Sequence, residues 1–164
     1  MQTEQVSDVL IDVAARLILP RFGSLHSADI HEKAPGDLVT VADREAEVEI
    51  GRILLQDDPN ALIVGEEGVF AEPGSLDQLP NARHAWVIDP VDGTRNFARG
   101  RGDFAVMLAE VRDRVTTRGW IWQPVHSRMY VAERGAGVTC NGKQLPPPPP
   151  SPRSVPLGAT YLPV

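Results

Sequence analysis

The stretch that decides the fold of this chain runs Trp86-Val87-Ile88-Asp89-Pro90-Val91-Asp92-Gly93-Thr94-Arg95-Asn96-Phe97. Its apolar beginning predicts a buried strand that delivers Asp89 to the strand's carboxyl end. Pro90 then fixes the backbone, and Asp92 brings a second carboxylate after two intervening residues. Gly93-Thr94 opens a predicted helix. The stretch therefore predicts a strand, a rigid acidic turn and a helix.

The two carboxylates of this turn suit a hard cation such as Mg²⁺, which prefers oxygen ligands and keeps positions open for a substrate phosphate. Gly93-Thr94 at a helix N-terminus adds backbone N–H groups and the positive end of the helix dipole, which suit an anion. Arg95 could contact the same anion or lie exposed at the helix start. The structural alternative is an Asx-type turn, in which Asp and Gly serve the backbone geometry alone.

The bulk properties of the chain narrow the class of protein. Its 164 residues are enough for one domain with a sizeable core. The formal net charge of −6 argues against nucleic acid as a partner. Cys140 is the single cysteine, so no internal disulfide can form and a reducing compartment is expected. The chain shows neither a secretion signal nor an apolar stretch near the ~20 residues of a membrane span. We therefore expect a cytoplasmic protein with no membrane or nucleic-acid partner.

Two amphipathic helices are predicted in the N-terminal part. Apolar residues recur at helical spacing over residues 6–18, which predicts a first helix. Residues 23–36 are mixed and polar, and predict a loop with a short hairpin. Thr40 lies three residues before Asp43, which predicts the N-cap of a second helix that ends near Asp57.

The pattern then changes to short β-rich runs. Residues 62–64 and 86–88 are apolar runs bounded by turn residues, and predict buried strands. Asn141-Gly142 is a hairpin signal. Hairpin turns separate three further runs, which predict an antiparallel meander over residues 104–111, 117–122 and 128–133. Two helices stacked on a largely antiparallel sheet define an α+β fold.

The C-terminal segment differs in kind from the rest. Of the 15 prolines, eight lie within residues 146–164 and five are consecutive at 146–150. Such a run adopts polyproline II and joins neither a helix nor a sheet. We therefore expect a domain over residues 1–145 and a disordered Pro-rich tail over residues 146–164, with an SH3-type ligand as the alternative.

The residues of the opening stretch resemble a known signature. Residues 89–97 are similar to the Asp-Pro-(Ile/Val/Leu)-Asp-Gly-Thr-x-Asn-Phe motif of the inositol monophosphatase family. Residues 37–43 and 65–68 resemble two further landmarks of that family, in the expected order, and a block over residues 135–142 is similar as well. The resemblance covers residues 5–145 and implies the first half of a layered αβαβα sugar-phosphatase fold. The family's C-terminal α/β half is expected to be missing.

The resemblance also implies a set of metal ligands. Glu66 and Asp89, joined by the backbone carbonyl of Val91, resemble the ligands of the first of two or three Mg²⁺ ions. Asp89 and Asp92 resemble those of the second, with Asp89 shared. The four histidines lack metal-ligand spacing and are assigned to the surface or to loops, His84 among them.

The catalytic and substrate-binding residues are implied in the same way. Thr94, oriented by Asp43, resembles the catalytic partner that helps Glu66 to deprotonate the attacking water. Asp92, Gly93 and Thr94 resemble the residues that bind the substrate. Two structural alternatives stay open, since Asp43 could serve only as a carboxylate in the first turn of a helix and Glu66 could lie in a solvated loop.

The expected function is that of a Mg²⁺-dependent phosphomonoesterase, acting as a homodimer on a small polyol phosphate such as inositol monophosphate. Histidinol phosphate or a 3′-phosphonucleotide is the alternative substrate within the family. The family's second half supplies an aspartate that completes the second metal site, and no aspartate follows Asp113 here. We therefore expect weak Mg²⁺ binding and little activity from residues 1–164 alone. The alternative function is a non-catalytic remnant that binds a metal or a partner.

Overall fold

Helices packed on a seven-stranded sheet form most of the structure. The structure is a computed structural model, and it describes residues 1–26, 29–34 and 37–147. A separate two-stranded hairpin precedes the second helix. The predicted α+β class is confirmed.

The first helix, α1, spans Thr3–Val13. It continues through a π-helical turn at Ala14–Ile18 and a 3₁₀ turn at Leu19–Arg21. Pro20 lies near the start of the 3₁₀ turn, and its missing N–H removes a hydrogen bond that a continuing α-helix would need. The first predicted helix is therefore confirmed, with a change of helical form over its last eight residues.

The predicted hairpin extends as far as the second helix. Strand β1 (Ile30–Ala34) pairs antiparallel with β2 (Asp37–Thr40), and α2 (Val41–Asp57) follows directly. Thr40 is the N-cap of α2 and forms a capping box with Asp43, as the sequence predicts. The boundaries of α2 are those expected.

The main sheet follows the chain in order, β3-β4-β5-β6-β7-β8-β9. Strands β3 and β4 are parallel, and every later neighbouring pair is antiparallel. A helix α3, a 3₁₀ stretch and a helix α4 interrupt the strands at Glu66–Ala71, Pro73–Asn81 and Thr94–Ala98. The strands span Leu62–Gly65, His84–Asp92, Ala105–Arg112, Val115–Gln123, Arg128–Glu133, Gly137–Cys140 and Lys143–Gln144.

The core lies between the two long helices and one face of the sheet. Helix α2 packs on β4, while α1 contacts both α2 and β6. Trp86 of β4 and Trp120 of β6 are fully buried with ring centroids 5.9 Å apart. Each aromatic side chain buries ~150–250 Å² of surface, so this pair contributes a large share of the hydrophobic stabilisation.

The last two strands of the sheet are joined by a tight turn. Asn141 and Gly142 have φ of 48° and 74°, which confirms the predicted turn between β8 and β9. Most of the predicted Pro-rich tail, residues 148–164, lies outside the described residues. Among the described helices, none is long and apolar enough to cross a membrane.

Candidate active site

The carboxyl ends of β3 and β4 lie side by side because these two strands are parallel. Gly65, the last residue of β3, pairs with Ile88 of β4. The residue that follows each member of this pair is acidic. Glu66 begins α3, and Asp89 lies near the end of β4. Parallel pairing thus brings two carboxylates from distant parts of the sequence to one edge of the sheet.

A bulge at Pro90 reshapes the end of β4. Asp89 pairs with Met107, and Asp92 pairs with Ala105. Between these two pairs β4 therefore contains one more residue than β5. Proline has no N–H to give to a strand ladder, and a bulge is a place where a sheet accepts it. Beyond the bulge the Asp92 side chain is exposed, whereas Val91 is buried.

Gly93 makes the sharp turn from β4 into α4. Its φ is 89°, a left-handed conformation that favours glycine. A Cβ at this position would lie 2.9 Å from the backbone oxygen of Asp103, closer than real Cβ contacts. The glycine therefore satisfies two constraints, one from its own backbone and one from the neighbouring loop.

Asp43 and Thr94 connect α2 to the start of α4. The Asp43 carboxylate accepts hydrogen bonds from the backbone N–H of Thr40, at 2.9 Å, and from the Thr40 hydroxyl. The Thr94 hydroxyl lies 3.2 Å from the other Asp43 oxygen and 2.9 Å from the Val91 carbonyl oxygen. With one proton to donate, Thr94 can satisfy one of these two acceptors at a time.

Burial dominates the electrostatics of Asp43. It raises the pKa of the carboxyl to about 6, against the lowering effect of the hydrogen bonds from Thr40, and the charge of Glu67 adds to the increase. Near neutral pH the carboxyl is therefore mainly ionised and is able to accept the hydrogen bond from the Thr94 hydroxyl.

Asp89 is the most perturbed acid of the site. Burial raises its pKa to about 8, and the negative charges of Glu66 and Asp92, together with a hydrogen bond to the Glu66 carboxyl, act in the same direction. Its Oδ1 atom is buried and has no hydrogen-bond partner among the described residues. A buried acceptor without a partner is costly, and functional sites are a common reason for one.

Glu66 has a partner that the sequence analysis did not anticipate. The ammonium group of Lys33, on β1, lies 2.8 Å from a carboxylate oxygen of Glu66 and 2.8 Å from one of Glu67. The Lys33 side chain is only 2% exposed. Burial lowers the pKa of Lys33, but its hydrogen bonds and ion pairs with the two glutamates outweigh that effect and raise it above its ordinary value.

The residues around Asp89 fit a divalent cation in their chemistry. A buried carboxylate oxygen without a partner, and a pKa raised by neighbouring carboxylates, are both relieved when a positive ion binds. Over residues 1–26, 29–34 and 37–147, no three His, Cys, Asp or Glu side chains form a group that could hold a metal ion. Backbone oxygens and water would therefore have to complete the coordination, as is usual for Mg²⁺.

Comparison with known proteins identifies the family. The family model described as "Inositol monophosphatase family" matches residues 2–162, nearly the whole chain. This chain belongs to the inositol monophosphatase family. The resemblance inferred from the three ordered motifs is thereby confirmed.

Curated members of the inositol monophosphatase family match along most of the chain. An inositol-1-monophosphatase of Rhizobium meliloti is 33% identical over 132 residues, which are 80% of this chain and 47% of that protein. The Nus factor SuhB of Pseudomonas aeruginosa is 38% identical over the same lengths, 80% and 47%. The chain therefore spans about half the length of the relatives it matches.

Solved structures of the inositol monophosphatase family share this fold. A Thermotoga maritima IMPase superposes with a TM-score of 0.73 at 29% identity, covering 88% of this chain and 53% of that one. An inositol monophosphatase from Zymomonas mobilis gives a TM-score of 0.64 at 34% identity, covering 86% and 51%. The chain thus has the architecture of about half of such an enzyme.

The predicted site residues fall into two connected groups. Charge and hydrogen bonding link Asp89 with Glu66 and Asp92, and hydrogen bonds link Thr94 with Asp43 and Val91. Gly93 precedes α4, between the two groups. Their roles as ligands and catalysts remain predictions, but Glu66 does not lie in a loop, because it begins α3.

Two charged residues at this site, and the burial of one histidine, were not predicted from the sequence. Lys33 and Glu47 are buried against α3, and no motif marks either of them. The assignment of His84 to the surface or a loop is wrong, because it begins β4 and is 8% exposed. Its Nδ1 lies 2.7 Å from Asp58, a partner that makes burial of the ring tolerable.

We expect the Gly93→Ala substitution to destabilise the chain by about 2 kcal/mol, because an L-residue is strained at this φ and its Cβ would press on the Asp103 carbonyl. Urea unfolding of the native chain and of the Gly93→Ala variant measures the difference in the free energy of unfolding. Gly74→Ala is the matched control, since a Cβ there meets nothing within 4 Å. Equal stability of the two variants would contradict the prediction.

Proposed function

We propose that this chain forms the metal-binding part of a Mg²⁺-dependent phosphomonoesterase that hydrolyses a small polyol phosphate such as inositol monophosphate. The observation that carries the proposal is the state of Asp89, buried beside two further carboxylates with one oxygen unpartnered among the described residues. Membership of the inositol monophosphatase family supports it. Names of relatives, such as inositol-1-monophosphatase, support the substrate class.

Four residues would hold the ions in this proposal. Glu66 and Asp89, with the backbone carbonyl of Val91, would hold one Mg²⁺, and Asp89 with Asp92 would hold another. Bound Mg²⁺ would supply positive charge that stabilises the attacking and leaving oxygens of phosphoryl transfer and acidifies water. Lys33 would have to leave the Glu66 carboxylate oxygen that it contacts, or share it, when an ion binds.

The protein's own groups would do the remaining work. Asp43 would accept a hydrogen bond from the Thr94 hydroxyl, and Thr94 would then position the water that Glu66 deprotonates. Asp92 is exposed, and Gly93 and Thr94 are partly exposed, which supports a role in binding a substrate. We assign substrate binding to these three residues.

The alternative function, a non-catalytic remnant that binds metal or a partner, has an observation in its favour. Lys33 already forms ion pairs with Glu66 and Glu67 through one buried ammonium group, which offsets part of their negative charge without any metal ion. The chain also spans about half the length of these relatives. The activity of a full-length relative is therefore only proposed for this chain.

We extend the proposal to the oligomeric state of the chain, its location and its substrate. We propose a homodimer, since large apolar side chains such as Ile121 and Val138 are 40–41% exposed on the sheet. We propose a cytoplasmic location, since a single cysteine suits a reducing compartment. Histidinol phosphate and a 3′-phosphonucleotide are the substrates to compare with inositol monophosphate.

The decisive test measures Mg²⁺ binding and phosphate release on the purified 164-residue chain. We expect a small heat of binding on titration with Mg²⁺, and slow release of phosphate from inositol 1-phosphate that depends on Mg²⁺ and is lost in Thr94→Val. Binding without any phosphate release would favour the non-catalytic alternative. The absence of both binding and release would overturn the proposal.

A further inference from the structure

We propose that Glu47 is a positioning residue that fixes the start of α3, and with it the Glu66 carboxylate, opposite Asp89. This inference rests on the proposed function for its purpose, since Glu66 is there a metal ligand. Glu47 itself lies on α2 and touches neither a reacting group nor an ion in the proposal.

The contacts of Glu47 are directed at the first turn of α3. One of its carboxylate oxygens accepts a hydrogen bond from the backbone N–H of Glu67 at 2.8 Å, and the other accepts one from Gly68 at 2.9 Å. Gly65, the N-cap residue of α3, has no side chain to do this. The carboxylate of one helix therefore caps the next, across 20 residues of sequence.

The backbone of β3 is shaped to admit this carboxylate. A Cβ at Gly65 would lie 2.0 Å from the carboxylate carbon of Glu47 and 2.3 and 2.4 Å from its two oxygens. No side chain fits at residue 65 while Glu47 holds its present position. Gly65 and Glu47 thus form a matched pair on either side of the point where β3 becomes α3.

A packing role alone does not explain the choice of an acid here. Glu47 is 9% exposed, and Glu66 and Glu67 follow Gly65 directly in the chain. Burial raises the pKa of Glu47, and the charges of Glu66 and Glu67 oppose its ionisation as well. An apolar residue would fill the space without the cost of burying a charge. It could not, however, accept hydrogen bonds from the two backbone N–H groups.

The consequence for the site follows from the connectivity. The capped N–H groups belong to the two residues after Glu66, so any shift of that turn moves Glu66 relative to Asp89. Coordination of a hard cation depends on such distances, and changing a residue that orients a ligand commonly costs ~10–100-fold in metal affinity.

The test compares Glu47→Gln with Glu45→Gln in the full chain. Glutamine keeps the shape of Glu47 but offers one acceptor oxygen in place of two. Glu45 lies on the same helix and makes a surface ion pair with Arg21, so its substitution controls for the loss of a charge. Mn²⁺ affinity is measured by electron paramagnetic resonance, and the Glu66 carboxyl signal by ¹³C NMR without metal.

We expect Glu47→Gln to weaken Mn²⁺ binding by about tenfold at a temperature where the chain stays folded, and to shift the Glu66 carboxyl signal, while Glu45→Gln does neither. Unchanged Mn²⁺ affinity with an unchanged Glu66 signal would overturn the inference. If the native chain binds no Mn²⁺, the proposed function fails, and the Glu66 signal alone then decides whether Glu47 positions Glu66.

The pairing with Gly65 gives a second, independent variant. Gly65→Ala should displace the Glu47 carboxylate by steric contact and reproduce the Glu66 shift, whereas Gly74→Ala should not. A Gly65→Ala chain that is folded and retains the native Glu66 signal would count against Glu47 as the positioning group.

Discussion

Replacing Asp89 by asparagine is expected to abolish Mg²⁺ binding and, at the same time, to stabilise the ion-free chain. Asparagine has the shape of aspartate but no charge, so it removes the repulsion that Glu66 and Asp92 exert on Asp89. The same change removes an anionic ligand from the proposed ion site. If the chain is catalytic, phosphate release should fall by on the order of 10²–10³-fold.

Misfolding of the variant could explain a loss of Mg²⁺ binding, but it could not explain a simultaneous gain in stability. Calorimetric titration with Mg²⁺ measures binding, and thermal unfolding near pH 8 without metal measures stability. Asp77→Asn is the control, since Asp77 is exposed in the 3₁₀ stretch and should change neither quantity. An Asp89→Asn chain that binds Mg²⁺ as tightly as the native one would place the ion site elsewhere.

The ion-free chain should lose stability as the pH rises from 5 to 8, and saturating Mg²⁺ should restore most of the loss. In an unfolded chain, aspartate titrates near pH 4. In the fold, burial and neighbouring carboxylates raise the pKa of Asp89 to about 8, and burial raises that of Asp43 to about 6. The folded state therefore prefers the protonated forms, an advantage that is full below pH 4 and is lost as the pH rises through 6 and 8.

The size of this effect follows from proton linkage. Each pH unit over which one of these groups is ionised only in the unfolded state costs the fold about 1.4 kcal/mol. For a chain of this length, several kcal/mol correspond to a fall in Tm on the order of 10 °C. Glu110 does not contribute, because Arg118 and Thr117 outweigh burial and hold its pKa at about 2, so it stays ionised throughout.

Melting curves across this pH range, with and without Mg²⁺, test the linkage. We expect Asp89→Asn to flatten the pH dependence and to remove the response to Mg²⁺. A native chain whose Tm rises between pH 5 and 8 without metal would show that these two acids do not control its stability.

Features that depend on a few neighbouring residues could be read from the sequence. The capping box of Thr40 and Asp43, the strand that ends at Asp89 and the turn at Asn141-Gly142 are formed by groups within a few positions of one another. Helical spacing over residues 6–18 likewise marks α1, because one face of a helix repeats every three to four residues. These local rules were sufficient for the fold class and for the acidic motif.

Features that depend on distant segments were decided only by the tertiary structure. The parallel pairing of β3 with β4 places Glu66 beside Asp89, and the β1 hairpin brings Lys33 to Glu66. His84 was misplaced because its burial depends on Asp58, 26 residues away. No local pattern encodes such pairs.

The sequence by itself determined that this chain carries the acidic strand-turn-helix motif of a phosphatase family on an α+β fold. The tertiary structure decided the electrostatic state of that motif. Burial and charge are sums over everything that packs nearby, so the raised pKa of Asp89 and the buried carboxylate of Glu47 appear only when α2, β1, β3 and β4 are assembled.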